Sequence, residues 1–149
     1  MEFKLIIDKE QPESVLVTAH APSELTRQIE DLVRQQNTCD RLVGYSEETD
    51  EFCMLPFSRI QCITVRNSKT YAIDEHGTPY RLKQRLYELE AILPPHFIRI
   101  NKSALANEKA LERFAATYSG AVDAVFQCGY REYVSRRCFA EIRRRYEGL

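Results

Sequence analysis

A chain of 149 residues is long enough for one domain, or one domain with a substantial extension, to bury most of its apolar surface without disulfide or metal staples. No stretch approaches the ~20 consecutive apolar residues of a membrane span, and Met1-Glu2-Phe3-Lys4 lacks the basic-then-apolar layout of a secretory signal, so a cytoplasmic protein is expected. The net charge of −1 conceals a division: residues 1–51 hold five Lys or Arg against twelve Asp or Glu (−7), and residues 52–149 hold sixteen against ten (+6). That asymmetry suits a basic module for a polyanion with an acidic attachment; the bland alternative is surface charge scattered unevenly.

Phe3, Leu5 and Ile7 alternate with polar neighbours, and after the turn-prone Glu10-Gln11-Pro12-Glu13 comes a second apolar run, Val15-Leu16-Val17. The pattern predicts two strands, arranged as a hairpin. Ser23 then stands as a helix N-cap before the stripe Leu25, Ile29, Leu32 and Val33, with Glu24 favouring the helix dipole and an end near Asn37. Residues 39–45 hold Leu42, Val43 and Tyr45, enough for a third strand, before an acidic, linker-like 46–51. A small ββαβ unit over 1–50 is expected, followed by a second domain over 51–149.

Beyond it the chain reads as short strands separated by turns: 52–55, 60–65, 71–73 and 78–82, with Asn67-Ser68 marking a hairpin and Asp74-Glu75-His76-Gly77 a turn. Leu82, Leu86, Leu89 and Leu93 fall at helical spacing, predicting a helix over 83–93 that packs a leucine stripe on a sheet and stops at Pro94-Pro95. A strand over 97–100, a short helical piece over 108–113, a hairpin from 122–126 to 130–134 and a last helix over 137–146 complete the pattern. The fold class expected is α+β, with a mostly antiparallel β-domain carrying two or three helices.

Enzymatic chemistry finds little support. His20, His76 and His96 lie far apart, no Cys-x-x-Cys pair exists among Cys39, Cys53, Cys62, Cys128 and Cys138, and no glycine-rich phosphate loop or metalloprotease pattern occurs. The cysteines read as buried free thiols. No catalysis, cofactor, metal or small-molecule substrate is expected.

Two stretches carry the functional signal: Phe97-Ile98-Arg99-Ile100-Asn101-Lys102-Ser103-Ala104-Leu105-Ala106-Asn107 and Tyr133-Val134-Ser135-Arg136-Arg137. In each, an apolar strand ends abruptly in polar and cationic side chains, as when a rigid scaffold presents donors at its rim. Lys69 in the first hairpin adds a third group, and turns from separate strands can converge into one surface. Duplex DNA, with a negative charge about every 1.7 Å, demands such a face.

These residues resemble the LytTR DNA-binding domains of bacterial transcription regulators. The family pattern, aromatic-x-Arg-x-x-x-Ser, then Asn four residues on, then Val-Ser-Arg-Arg before a helix, is matched by Phe97, Arg99, Ser103, Asn107 and Val134 to Arg137. The resemblance spans roughly residues 50–149. It implies a sequence-specific regulator that reads the major groove of double-stranded DNA through loops between strands. Carried over residue by residue, Lys102 and Arg137 are the base-contact candidates, Ser103 and Arg136 serve phosphates, and Asn101 belongs to the same tip. The third contact falls at Lys69 or Thr70. Arg99 stays open between a structural partner and a DNA contact. Paired repeats as target, a homodimer and a membrane-protein regulator are further expectations of the resemblance. Fifty residues do not suffice for a phosphorylatable receiver, so the N-terminal part is left with dimerisation or regulation. The alternative function is a protein-interaction module whose basic face meets an acidic partner; an RNA binder lacks the aromatic stacking platform it would need.

Overall fold

The structure, a computed structural model, describes residues 2–12, 14–37 and 40–148, and of 35–37 the backbone alone. The chain divides into two compact units, Met1–Asn37 and Thr38–Leu149. In the first, helix α1 spans Glu24–Asn37. Ser23 opens it as read: its Oγ accepts from the Thr26 N–H at 3.3 Å, while its own N–H donates to Thr26 Oγ1 at 2.9 Å. The strands expected over 3–7 and 15–17 are not formed; among the described residues, 2–22 contains only bends outside irregular backbone. A strand needs a partner ladder for its N–H and C=O groups, and an isolated two-stranded hairpin is marginal in water. Glu13, placed in the expected turn, and Cys39, placed at the start of the third strand, lie outside the described residues.

The second unit contains β1 (Arg41–Ser46), β2 (Glu51–Pro56), β3 (Cys62–Arg66), β4 (Lys69–Ile73), β5 (Pro79–Leu82), α2 (Leu86–Ile92), β6 (Phe97–Asn101), β7 (Ala104–Asn107), β8 (Leu111–Ala116), β9 (Val122–Phe126), β10 (Arg131–Val134) and α3 (Arg136–Glu147). The strands form a seven-stranded sheet ordered β2-β1-β5-β4-β3-β7-β6 and a three-stranded sheet β10-β9-β8. Every pairing is antiparallel.

The third strand of the expected ββαβ unit is therefore grouped differently. β1 pairs along its whole length with β2, from Arg41↔Pro56 to Ser46↔Glu51, and meets β5 at Tyr45↔Arg81. The acidic stretch expected to link domains is the turn of that hairpin: the Asp50 N–H donates to the Ser46 carbonyl at 2.9 Å, with Asp50 at φ 56°. Gly44 allows the crossing. A Cβ there would stand 2.6 Å from Leu55 Cδ1 and 2.7 Å from Tyr80 Cβ, inside any tolerable contact.

The large sheet is apolar on both faces. Leu42, Leu55, Ile63, Ala72, Leu82 and Leu105 join Leu86, Leu89 and Leu93, so the leucine stripe packs as read. Cys62, Ile73, Ile98, Ile100 and Ala106 join Ala124, Phe126 and Val134 of the second sheet and Ile142 of α3. Of the described cysteines all are free and only Cys62 is fully buried, its thiol pushed well above the ordinary range by that burial.

β7 was not expected, and two helical expectations are corrected. α2 starts at Leu86 because Arg85 stays extended, with its N–H donating to Glu88 Oε1 at 3.4 Å. The helical piece expected over 108–113 is a single 3-10 turn, Glu108–Ala110, followed by strand β8. The register shift between Leu111 and Arg113 explains the misreading: a bulge puts Leu111 and Phe114 three apart where an unbroken strand would put them two or four apart.

Candidate nucleic-acid interface

Strand direction decides which loops meet. β3 runs toward Arg66, β5 toward Leu82 and β6 toward Asn101, while β4 and β7 run away from Lys69 and Ala104. The β3–β4 turn, the end of β5 and the β6–β7 turn thus lie along one rim of the sheet. Asn67 and Ser68, at φ 50° and 63°, close the first turn in the left-handed region, a two-residue reversal suited to twisted strands.

Hydrogen bonds lock the rim into one frame. The Val65 N–H donates to the Ser103 carbonyl at 2.9 Å, tying the β3–β4 hairpin to the β6–β7 turn. The Ser135 N–H donates to the Ile100 carbonyl at 2.9 Å, bringing the start of α3 to the same place. Between them sits Asn101, 8% exposed. Its Nδ2 donates to the Tyr133 carbonyl at 2.6 Å and its Oδ1 accepts from the Ser103 N–H at 2.7 Å. The side chain expected to reach outward is thus committed to the frame on both sides.

Arg99, left open by the sequence, supports the same turn. Its Nε lies 2.7 Å from Glu90 Oε1 and its Nη1 donates to the Lys102 carbonyl at 2.8 Å. The motif residue Asn107 is buried at the opposite end of β7, donating to the Ile60 carbonyl at 2.8 Å and accepting from the Lys109 N–H at 3.0 Å. Ser103 is half-buried, and its backbone N–H and carbonyl are both occupied within the rim.

The cations stand outside this frame. Lys69, Lys102, Arg136 and Arg137 are exposed, whereas Thr70 is buried. Arg137 is 90% exposed, with Glu141 one helical turn on at 3.6 Å. Ser135 caps α3, its Oγ accepting from the Cys138 N–H at 3.2 Å, so the two arginines project from the first turn of a fixed helix. Arg66 is held: it donates to the Tyr130 hydroxyl at 2.7 Å, with its guanidinium carbon 5.4 Å from that ring's centre. Burial, then the hydrogen bond to Glu132, pushes the Tyr130 hydroxyl far above its ordinary range, so it stays protonated in this bridge.

One part of the rim escaped the sequence reading. Lys69, Arg81, Lys83 and Arg85 line a shallow basin of about 560 Å³, together with Tyr45 and Phe52, whose ring centres lie 5.2 Å apart. The available signal was Arg81-Leu82-Lys83-Gln84-Arg85, three cations at alternate positions across the end of a strand. Pairing of Thr70 with Leu82 sets this run beside Lys69.

The comparisons agree with this arrangement. The model of the LytTr DNA-binding domain matches residues 50–147. Two Staphylococcus aureus proteins, from strains bovine RF122 / ET3-1 and MSSA476, are each 31% identical over 148 residues, with 97% of both chains covered; each is named an uncharacterized HTH-type transcriptional regulator. Here α2 and α3 are separated by five strands, so they do not form two helices joined by a short turn. A solved LytTr DNA-binding domain from Bacillus cereus superposes with a TM-score of 0.62 at 24% identity, covering 75% of this chain and all of that one (100%). The sheet, the loop frame and the matched span together place this chain in the LytTR family of DNA-binding domains.

Proposed function

We propose that the protein is a sequence-specific regulator of transcription that reads the major groove of duplex DNA with the loops of this rim. The observation that carries the reading is the combination of a hydrogen-bonded frame around Asn101 with outward cations from three sequence-distant segments. Lys102 and Arg137 serve as donors to guanine O6 and N7, Lys69 provides the third contact, and Ser103 and Arg136 position the backbone phosphates. The fixed frame means little ordering is needed on binding, which favours discrimination between sequences. Arg81, Lys83 and Arg85 extend the positive field beyond the reading loops and add salt-dependent attraction.

Selection of bound fragments from a random duplex library, followed by affinity measured against salt, tests this. A recovered motif whose affinity falls steeply with salt is the expected outcome. Recovery of no motif, with tight binding to an acidic protein surface instead, would favour the protein-interaction reading.

A further inference from the structure

We infer that Arg66, Tyr130 and Glu132 form a positioning bridge that fixes Lys69 relative to Arg136 and Arg137, and thereby sets how well the rim discriminates between DNA sequences. The inference rests on the function proposed above, in which those three cations meet DNA; Arg66, Tyr130 and Glu132 act through them without touching it. Arg66 ends β3 and pairs with Lys69 across the Asn67-Ser68 turn. Tyr130 directly precedes β10, Glu132 lies within it, and β10 leads through Val134 to Ser135, the cap of α3.

Three loops need three ties to hold one geometry. The bond from the Val65 N–H to the Ser103 carbonyl joins the β3–β4 turn to the β6–β7 turn, and Asn101 with the Ser135 N–H joins the β6–β7 turn to the start of α3. The remaining side spans the two sheets and is closed by side chains 64 residues apart. Arg66 Nη2 donates to the Tyr130 hydroxyl at 2.7 Å, and that hydroxyl donates to Glu132 Oε2 at 2.5 Å. A cation, a hydroxyl and a carboxylate in series strengthen each other's bonds. The Tyr130 ring is seated on the buried Phe126, with ring centres 5.9 Å apart, which fixes the hydroxyl from the core side.

The bridge has a counterpart at the other end of β3, where Gln61 Oε1 accepts from the Cys128 N–H at 3.3 Å. With that tie intact, loss of the Arg66 bridge leaves the sheets joined and lets them part at the rim alone. The consequence falls on loop spacing more than on folding, because the Arg66 bond is exposed and the net contribution of such a bond to stability is small. Glu132 also supplies a counter-charge through the hydroxyl. Arg66, though exposed, is therefore committed within the molecule, whereas Lys69 has no carboxylate at ion-pair distance among the described residues.

Tyr130→Phe keeps the ring on Phe126 and removes only the hydroxyl between Arg66 and Glu132. In the full chain, the ratio of affinities for a selected duplex and for one carrying a single changed base pair should fall about 10-fold, the worth of one displaced base contact. Arg66→Met should do the same, and Arg66→Lys, which keeps a donor, should retain most of the ratio. The salt slope should stay unchanged in all three, since no phosphate contact is removed. Residual dipolar couplings of the DNA-free chain give a second readout: amides of β3–β4 and β9–β10 should fit one orientation in the unaltered protein and two in Tyr130→Phe. Chemical denaturation of each variant separates a displaced loop from a lost fold. Couplings of Tyr130→Phe that still fit one orientation would overturn the bridge. So would an Arg66→Met chain that binds all duplexes more weakly and lowers the salt slope by roughly one, which would make Arg66 a phosphate contact. Failure of the unaltered chain to select any duplex would instead sink the reading of the rim, with the couplings still deciding the bridge.

Discussion

The seven-stranded sheet has two ends whose charges are treated differently. At the end away from the rim, Arg59 lies 3.6 Å from Glu75 and Arg145 2.5 Å from Glu108. Asp74 in the β4–β5 turn accepts from the N–H groups of His76 and Thr78, each at 2.9 Å, while Gly77 takes φ +77° to close the turn. Those charges are satisfied within the molecule. At the rim, among the described residues, Lys69, Lys102 and Arg136 have no carboxylate within ion-pair distance and Arg137 has only Glu141 of its own helix at 3.6 Å, while the Asn101 side chain ties the backbone of the β6–β7 turn to Tyr133. The difference between the two ends supports the proposed role of the rim in meeting an external anion.

Removing the support should have the largest effect. Asn101→Ala leaves the Tyr133 carbonyl and the Ser103 N–H without their partner in a largely buried site, at a cost of about 1–3 kcal/mol for each unsatisfied group. Chemical denaturation should show the stability loss, and affinity for every duplex should fall with it. A variant as stable as the unaltered protein would show that Asn101 is not the strut.

Next in size are the side chains proposed to contact bases. Lys102→Ala and Arg137→Ala should each lose about 1–3 kcal/mol on the preferred duplex and little on random DNA, because base-edge donors discriminate. Equal losses on both would reassign these residues to phosphates. Arg136→Ala should instead weaken all sequences alike and lower the salt slope by roughly one; a loss confined to the preferred site would exchange its role with Arg137.

The smallest effect belongs to the far end. Glu108→Gln removes a partly exposed pair with Arg145 and should change stability by no more than about 1 kcal/mol. DNA affinity should not change. A marked loss of binding there would erase the distinction between the two ends.

How much of this was legible in the sequence follows from the range of the interactions involved. Strands closed by local signals were readable: Asn67-Ser68 and Asp74 to Gly77 specify their own turns, and the leucines of α2 their own face. β8 was hidden by a bulge that breaks its alternation, and the strands expected near the N-terminus lack the partner a sequence cannot supply. The exposure of Lys102, Arg136 and Arg137 was legible because each follows an apolar run that ends in polar residues. The anchoring of Asn101 is not legible locally, because its side chain bonds the Tyr133 carbonyl, thirty-two residues away. Arg81, Lys83 and Arg85 were passed over because only the pairing of β4 with β5 sets them beside Lys69.

The most direct test of the rim is to titrate a selected duplex into the labelled protein and follow backbone amide resonances. Changes are expected at 66–69, 101–104 and 135–137, with 74–77 and 108–110 unaffected. Perturbation centred on 74–77 and 108–110, with the rim silent, would contradict the account.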